Sequence, residues 1–489
     1  MTAALYLVDA ANTEGLSSEE TVLLGKLRSQ LEGCRLANSR KFTLYEGMHK
    51  ARNLEIAVPP HLADVDVHVG APGIVVDVLA ERIEWDEWTS MGGDLLGLDT
   101  LYRDNELEVE QARQAVDSLI CGVSFVNLSY GDTGEPEVLV TAESPMNATV
   151  LWNTRRRAAD AGLVQERDPL TQMVSTEWLK LPDVTIRITR ERDGRRIVVD
   201  RFEHKLGVVP MVAFPNKERP SDIWGRSEIT PTVRYFTEAI GRSLLGMEIH
   251  REIYTAPNRY GLGVDPKQFG INTDTPRGAK IVKQWDVAMS KMNFIPGPKN
   301  PGDPMPQVGQ FPSSPPTPYI DQIKHYLQHL SAESAVPWNY WGFQTDNPPS
   351  ADAVRVLESR LVKRALLRQR MWTRAWRQVG FIAVRHVDKT TPFTAVADIS
   401  PNWKDPATPT PSAAADAAAK LVGSDILPAR SKVTLRRSGI SEAEIAEIER
   451  ERLTEDTNSL VDRLTRDPAT VPPPPDGATE QAISGDGGS

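Results

Sequence analysis

The chain has 489 residues, 40 % of them hydrophobic and 25 % charged, an ordinary globular composition with material for roughly two to four domains. Its formal net charge of -10 argues against a protein that works mainly by coating nucleic acid, because that affinity comes from clustered Lys and Arg. Only Cys34 and Cys121 are present, too few for a thiolate zinc site or a disulfide framework, which fits a reducing compartment.

The first residues carry neither a basic segment nor a long apolar run, so we predict no secretory signal. The longest apolar run, residues 74–80, is far short of the ~20 residues that a membrane-spanning helix needs. We therefore expect no membrane association and folding in the cytoplasm.

The first part of the chain is predicted to be mixed helix and sheet. Apolar residues at helical spacing predict helices over 18–39, 71–91 and 98–121. Alternating or β-branched runs between turn signals then predict antiparallel sheet over 122–204.

Two helices are predicted on either side of a Pro/Gly-rich insertion. Residues 225–253 and 318–335 return to helical period, whereas 254–316 are broken by short bursts of Pro and Gly. Within this insertion IVKQW and FIP are predicted to be strand-like.

The next segment, 337–350, concentrates aromatic residues and contains no Lys or Arg. A helix is predicted to follow from Ala351 to about Val387, with Ser350 as its N-cap. An apolar stripe that includes Leu357, Leu361, Trp372 and Trp376 persists for about ten turns, so the helix would be roughly 55 Å long. We expect this stripe to cross a subunit or to bridge subunits.

The same helix is strongly basic. Between 354 and 377 it carries eight Lys or Arg, among them Arg364, against Glu358 alone. These side chains are interpreted as a solvated or salt-bridged face between subunits, with direct contact to DNA phosphate as the alternative.

The C-terminal region is predicted to be helical and then disordered. Residues 409–466 read as three short helical pieces, and 467–489 are rich in Pro, Gly and Ser without apolar periodicity.

No catalytic signature was found among the nucleotide-loop, metalloprotease, serine-hydrolase and paired-cysteine motifs, so the chain is not expected to be an enzyme. Asp321, His325, His329 and Glu333 share one helix face and offer metal ligands, but a solvated helix face is the preferred interpretation. No cofactor and no metal site are predicted.

The order of these elements resembles the portal proteins of tailed bacteriophages, particularly the Gp6-like portals of siphophages. The resemblance extends over roughly 20–450 and rests on four stretches: YEGMHK, LGVVPMVAFPNKERPSDIWGRSEITP, YTAPNRYGLGVDP and NPPSADAVRVLESRLVKRALLRQRMWTRAW. The second and fourth stretches are the most specific.

The resemblance implies an α+β portal fold in a ring oligomer. Its segments would be a wing (1–222), stem helix 1 (223–253), a clip (254–317), stem helix 2 (318–336), a tunnel loop (337–350), a long wing helix with linker (351–408), a helical crown (409–466) and a disordered tail (467–489). The inter-subunit residues on the long helix would be Leu357, Leu361, Arg364, Trp372 and Trp376.

The implied function is a dodecameric channel at one capsid vertex of the virion, assembled in the host bacterial cytoplasm, for DNA packaging and ejection. Its partners would be double-stranded DNA, bound non-specifically, the terminase large subunit, the major capsid and scaffolding proteins, and a head-tail adaptor protein. The tunnel loop would meet DNA through Trp338, Tyr340, Trp341, Phe343, Gln344, Asp346 and Asn347.

A loop without cations suits this role, because each neutralised phosphate adds affinity and would slow a sliding duplex. Burial of the four aromatic side chains between subunits is the equal alternative. Two other functions remain open, a packaging enzyme and a capsid or scaffold protein without a channel; the first lacks a motif, and the second would not explain the order of elements.

Overall fold

The computed structural model describes residues 13–49, 66–90, 92–190, 195–254, 259–262, 292–295, 307–310, 312, 314–342, 350–407, 411–440 and 442–465. The chain divides into two compact units, Met1–Ala407 and Thr408–Ser489. None of the helices in these ranges has a stretch long and apolar enough to cross a bilayer.

Helices and strands alternate through the larger unit. Its helices are α1 (Ser18–Tyr45), α2 (Ala71–Ala80), α3 (Leu98–Asp104), α4 (Leu107–Cys121), α5 (Pro231–Tyr254), α6 (Thr317–Ser334) and α7 (Ala351–Val387), with short 3₁₀ turns at Trp338–Trp341 and Phe393–Val396. Its strands are β1 (Thr13–Glu14), β2 (Trp85–Ser90), β3 (Val123–Tyr130), β4 (Val138–Glu143), β5 (Ala148–Asn153), β6 (Ala158–Arg167), β7 (Val174–Lys180), β8 (Val184–Arg190), β9 (Arg196–Glu203), β10 (Met211–Pro215), β11 (Arg259–Leu262), β12 (Met292–Ile295), β13 (Gln307–Gln310) and β14 (Ile399–Trp403). The predicted mixture of helix and sheet is confirmed.

The smaller unit is helical over its described residues, as predicted. It contains α8 (Pro411–Gly423), α9 (Lys432–Arg437) and α10 (Glu442–Thr465).

A six-stranded sheet, in the order β1-β9-β8-β7-β6-β5, is antiparallel except for the β1–β9 pair. Helix α1 covers one face and buries Leu24, Leu27 and Leu31 against it. The helix begins at a capping box, in which Ser17 and Glu20 each bond the other's backbone N–H through their side chains.

A second sheet, β10-β3-β4, packs on the six-stranded sheet, and Phe125, Val150 and Met211 are buried together with Val164. The two sheets approach closely at Gly162, where a Cβ would lie 2.8 Å from the Met211 sulfur. A larger side chain at residue 162 would therefore require the Met211 side chain to shift.

The main core joins α2, α4 and α7 to the β10-β3-β4 sheet. Trp376 of α7 contacts Trp85 of β2 and Phe214 of β10, with ring centroids 4.3 and 4.9 Å apart. Trp372, also on α7, donates its indole N–H to the Pro215 carbonyl at 3.1 Å. The long helix is therefore part of the chain's own core.

Helices α5 and α6 pack against each other as an antiparallel pair. Close contacts run from Gly246–Tyr319 at one end to the Thr230–Glu333 hydrogen bond at the other. The intervening chain contributes a small sheet in which β11 lies between β12, in parallel, and β13, in antiparallel orientation.

Several predicted elements differ from the structure. The helix predicted over 71–91 is wrong after Ala80: residues 85–90 form β2, which pairs with β14. The helix predicted over 98–121 is interrupted before α4, where Glu106 has a φ of 48°. The antiparallel strands predicted over 122–204 are confirmed, and they are divided between the two sheets.

The two helices around the insertion are confirmed with shifted ends. Residues 225–230, predicted to be helical, precede α5 as a loop. Most of the insertion, including IVKQW, and the tail 467–489 lie outside the described residues, whereas FIP overlaps β12.

We predict that Trp376→Ala lowers the free energy of unfolding by about 3–5 kcal/mol, because removing a buried indole leaves a cavity. Leu170→Ala, at a side chain that is 94 % exposed, should change it by about 0.5 kcal/mol or less. Urea unfolding followed by circular dichroism measures both; equal effects would contradict the burial described for α7.

Candidate functional site: a buried glutamate and the base of the aromatic loop

The chain between β10 and α5 is held by backbone hydrogen bonds, one of them to the residue that follows α4. The Asn216 N–H donates to the Gly122 carbonyl at 2.8 Å, and the Arg226 N–H donates to the Asn216 carbonyl at 2.6 Å. Gly225 has a φ of +73°, and a Cβ there would lie 2.1 Å from the Asn216 oxygen. Only glycine fits this turn.

The carboxylate of Glu228, 1 % exposed, lies at the centre of a charged cluster. One oxygen, Oε2, accepts hydrogen bonds from Lys217 Nζ at 2.7 Å and from Arg364 Nη2. The other, Oε1, accepts from Arg368 Nη2 at 2.6 Å and from Asn216 Nδ2 at 3.0 Å. We call Asn216, Lys217, Glu228, Arg364 and Arg368 the Glu228 cluster.

Charge keeps Glu228 ionised in spite of its burial. Burial alone would raise its pKa, but Arg364, Arg368 and Lys217 outweigh that effect and lower the pKa to about 2. Arg368 is itself buried, and its Nε donates to Asn216 Oδ1 at 3.1 Å. A buried carboxylate held by several cations is stabilising only while those partners remain in place.

The Glu228 cluster connects three parts of the fold. Its cations Arg364 and Arg368 belong to α7, and Glu228 lies just before α5. The Glu228 N–H donates to the Leu119 carbonyl of α4 at 2.8 Å. The position of α5 relative to α7 is therefore fixed at this point.

The base of the aromatic loop is fixed by a second, smaller cluster. Arg82 Nη2 donates to the Tyr340 hydroxyl at 2.8 Å, and that hydroxyl donates to Glu358 Oε1 at 3.0 Å. Arg82 and Glu358 also form an ion pair at 3.1 Å. Burial is the main cause of a raised pKa for the Tyr340 hydroxyl. The hydroxyl thus stays protonated between its two partners.

The predicted loop residues have different environments. Tyr340 and Trp341 are partly buried and pack on the main core of the same chain. The assignment of these side chains to the channel or to a subunit interface stays a prediction. Trp338 is half-buried in the 3₁₀ turn. Phe343, Gln344, Asp346 and Asn347 lie outside the described residues.

The predicted inter-subunit residues of the long helix are mostly internal. Leu361, Trp372 and Trp376 are buried within this chain, and Arg364 belongs to the Glu228 cluster. The assignment of these four residues to a contact between subunits stays a prediction, because apolar periodicity shows that a face is covered but not by which chain. Leu357 is exposed.

Helix α7 changes character along its length. From Leu361 to His386 one side is covered by the core, whereas near its start Val356 and Leu357 are 73 % and 52 % exposed. Ser350 caps the helix by accepting a hydrogen bond from the Ala353 N–H at 3.3 Å, as predicted. The first turns thus present apolar side chains that the described residues do not cover.

Sequence reasoning did not identify Asn216, Lys217, Glu228, Arg368 or Arg82 as site residues. One signal was available, since the basic excess on α7 requires acidic partners elsewhere. The position of that partner could not be read from the sequence.

The four residues predicted to share one face of α6, Asp321, His325, His329 and Glu333, do not form one metal-binding group. Glu333 accepts a hydrogen bond from Thr230, whereas His325 and His329 lie together. Among the described residues, no group of three or more His, Cys, Asp and Glu side chains is arranged to hold a metal ion.

A cavity of about 1000 Å³ lies between the six-stranded sheet and the β10-β3-β4 sheet. Its lining includes four basic side chains and four acidic ones, so it has no charge preference for one ligand class. These are Arg35, Arg167, Lys180 and Arg187, and Asp132, Glu135, Glu143 and Glu166. The Glu228 cluster and the loop base are the better candidate site.

The sequence matches one family of proteins and individual proteins of the same kind. The family of phage portal proteins described as SPP1 Gp6-like matches residues 290–457. The portal protein of Mycobacterium phage L5 is 26% identical over 456 residues, 90% of this chain and 91% of that protein. The portal protein of Mycobacterium phage D29 is 26% identical over 387 residues, 78% of this chain and 77% of that protein.

Two solved chains with partial structural similarity are from gene transfer agents. A chain in the neck of a native GTA particle, computed with C12 symmetry, has a TM-score of 0.42 and 13% identity over 76% of this chain and 90% of that chain. A chain in the virion of a native gene transfer agent particle has a TM-score of 0.42 and 12% identity over 83% of this chain and 93% of that chain.

The sequence matches confirm the predicted resemblance, and the chain is a phage portal protein. Over residues 290–457 it is similar to the SPP1 Gp6-like family of portal proteins. The two stretches most specific for the resemblance meet at the Glu228 cluster, because the first contains Asn216, Lys217 and Glu228 and the second contains Arg364 and Arg368.

We predict that Glu228→Gln lowers the free energy of unfolding by about 3–5 kcal/mol at pH 7, because it leaves buried cations without their anion. Glu203→Gln, at an exposed acid, should cost about 1 kcal/mol or less. Chemical denaturation measures both variants.

The loss in free energy of unfolding caused by Glu228→Gln should also depend on pH. The pKa of Glu228 is lowered from 4.5 to about 2, so its stabilisation is complete above pH 4.5 and is lost as the pH falls through 2. The difference between the native protein and Glu228→Gln should shrink from pH 7 to pH 3. A constant difference would contradict a carboxylate held ionised by its partners.

Proposed function

We propose that this portal protein forms a ring with a central channel at one capsid vertex, through which double-stranded DNA is packaged and ejected. The observation that carries the proposal is the exposed start of α7. Val356 and Leu357 lie on a helix whose remaining length is anchored in the core. Exposed apolar side chains on a fixed element favour a contact with another chain, and identical contacts around an axis close a ring.

The segments predicted from the resemblance remain our assignment. The antiparallel α5/α6 pair is suited to the stem, and the small β12-β11-β13 sheet between these helices is suited to the clip. Residues 1–222 would form the wing, 351–408 the long wing helix with its linker, and 409–466 the crown.

The aromatic loop is proposed to reach the channel beyond its base. Arg82 and Glu358 hold Tyr340, so the segment from Phe343 to Asn347 is the part assigned to DNA. This segment contains no Lys or Arg, which suits non-specific contact with a duplex that has to move.

The expected partners follow from the same role. They are the terminase large subunit during packaging, the major capsid and scaffolding proteins during assembly, and a head-tail adaptor protein afterwards. A structural, non-enzymatic role, a ring of twelve subunits in the virion and assembly in the bacterial cytoplasm complete the proposal. No observation favours a channel-free capsid protein or a packaging enzyme over it.

Ring assembly should depend on the exposed start of α7. We predict that the double variant Val356→Asp/Leu357→Asp forms few rings, because charged side chains would be desolvated at the subunit contact. Its circular dichroism should remain native, since both positions are exposed. Native mass spectrometry and negative-stain microscopy measure the outcome.

Leu170→Asp is the matched control, because it places a carboxylate at an exposed leucine away from α7. It should assemble normally. Unchanged ring yield in the Val356→Asp/Leu357→Asp variant would contradict the inference that the exposed start of α7 forms the contact between subunits.

Positive charge in the aromatic loop should slow the movement of DNA through the channel. We predict that Gln344→Lys/Asp346→Lys reduces DNA packaged per head, more at low salt than at high, because added phosphate contacts are salt-dependent. Rings should form normally. Packaging assays across ionic strengths measure the effect.

Two controls separate charge from position. Asp346→Asn removes the negative charge without adding a cation and should package nearly normally. Gln268→Lys adds one lysine in the clip segment instead and should also package nearly normally. Normal packaging by the loop variant at low salt would exclude the loop from DNA contact.

A further inference from the structure

Two histidines on α6 face each other across one helical turn. The Nε2 atoms of His325 and His329 are 3.2 Å apart, and both side chains are exposed. Residues four apart lie on the same helix face, which is the spacing by which helical His pairs bind zinc.

The distance fits a shared metal ion. Bonds of about 2.0–2.1 Å to zinc, at the tetrahedral angle, place two imidazole nitrogens about 3.3 Å apart. A right-angled arrangement with the same bond lengths would bring them to about 2.9 Å. The 3.2 Å contact is also within hydrogen-bond distance, so a bound ion would replace a hydrogen bond between the two imidazoles.

One of the two rings is held in place. Phe236 of α5 stacks on His329, with ring centroids 5.1 Å apart and planes 4° from parallel. The neighbouring contact between the helices is fixed by Ser243, which donates to Gln322 at 3.3 Å, and by Gln322, which donates to Tyr326 at 2.8 Å. The pair therefore requires little reorganisation to bind an ion.

The remaining coordination positions are open. Glu333, on the same face, accepts a hydrogen bond from Thr230, and the described residues supply no third ligand in a metal-binding group. Two imidazoles with open positions suit a borderline divalent ion that keeps water ligands.

We propose that His325 and His329 form a two-histidine site for a tetrahedrally coordinated divalent transition-metal ion, with Zn²⁺ as the ligand and water in the open positions. The site lies entirely on the α5/α6 pair. It does not depend on ring formation or on DNA.

Titration calorimetry with Zn²⁺ on the full chain tests the proposal. The native protein should bind, and His325→Ala and His329→Ala should each weaken binding by about tenfold or more, because loss of even an outer-shell partner costs about 10–100-fold. His68→Ala, at another exposed histidine, should bind as the native protein does.

Co²⁺ provides a readout of geometry. Four-coordinate Co²⁺ absorbs visible light much more strongly than six-coordinate Co²⁺, so the native protein should show the intense band and His325→Ala/His329→Ala should not. Circular dichroism checks that the variants remain folded. Zn²⁺ binding that persists undiminished in the double variant, or no binding by the native protein, would overturn the proposal.

Discussion

The buried carboxylate of Glu228 is the constraint on which the architecture depends. Removing a charge from water is costly, and here the cost is offset only because Lys217, Arg364 and Arg368 converge on one residue. Those cations come from the end of a sheet and from the long helix. The helix that begins just after Glu228 therefore has one orientation relative to α7 in which the charges are satisfied.

The long helix combines two physical roles in one continuous element. Its C-terminal part is held by indole rings and by the Glu228 cluster, whereas its first turns expose Val356 and Leu357. Glu358, between these parts, receives the Tyr340 hydroxyl and thereby joins the base of the aromatic loop to the same helix. Helix α7 therefore links its exposed first turns to the base of the aromatic loop and to α5.

Features set by residues close together in the sequence could be predicted. Features set by contacts between distant residues could not. Helix α7 was predictable because its cap and apolar stripe lie within one segment. Strand β2 was not, because Trp85 and Trp88 are three residues apart, as on a helix, and β2 pairs with a strand more than 300 residues away. Likewise, Arg364 and Arg368 are 136 and 140 residues from Glu228, so no local pattern could pair them.

The separation of these partners along the chain also has a genetic consequence. Phages exchange gene segments, and a crossover anywhere between the codons of Glu228 and Arg364 would join an acid from one parent to cations from another. Such a hybrid retains the buried balance only if both parents place the same charges at these positions. The cluster thus restricts which recombinants of this gene encode a folded protein, even where the exchanged segments are otherwise interchangeable.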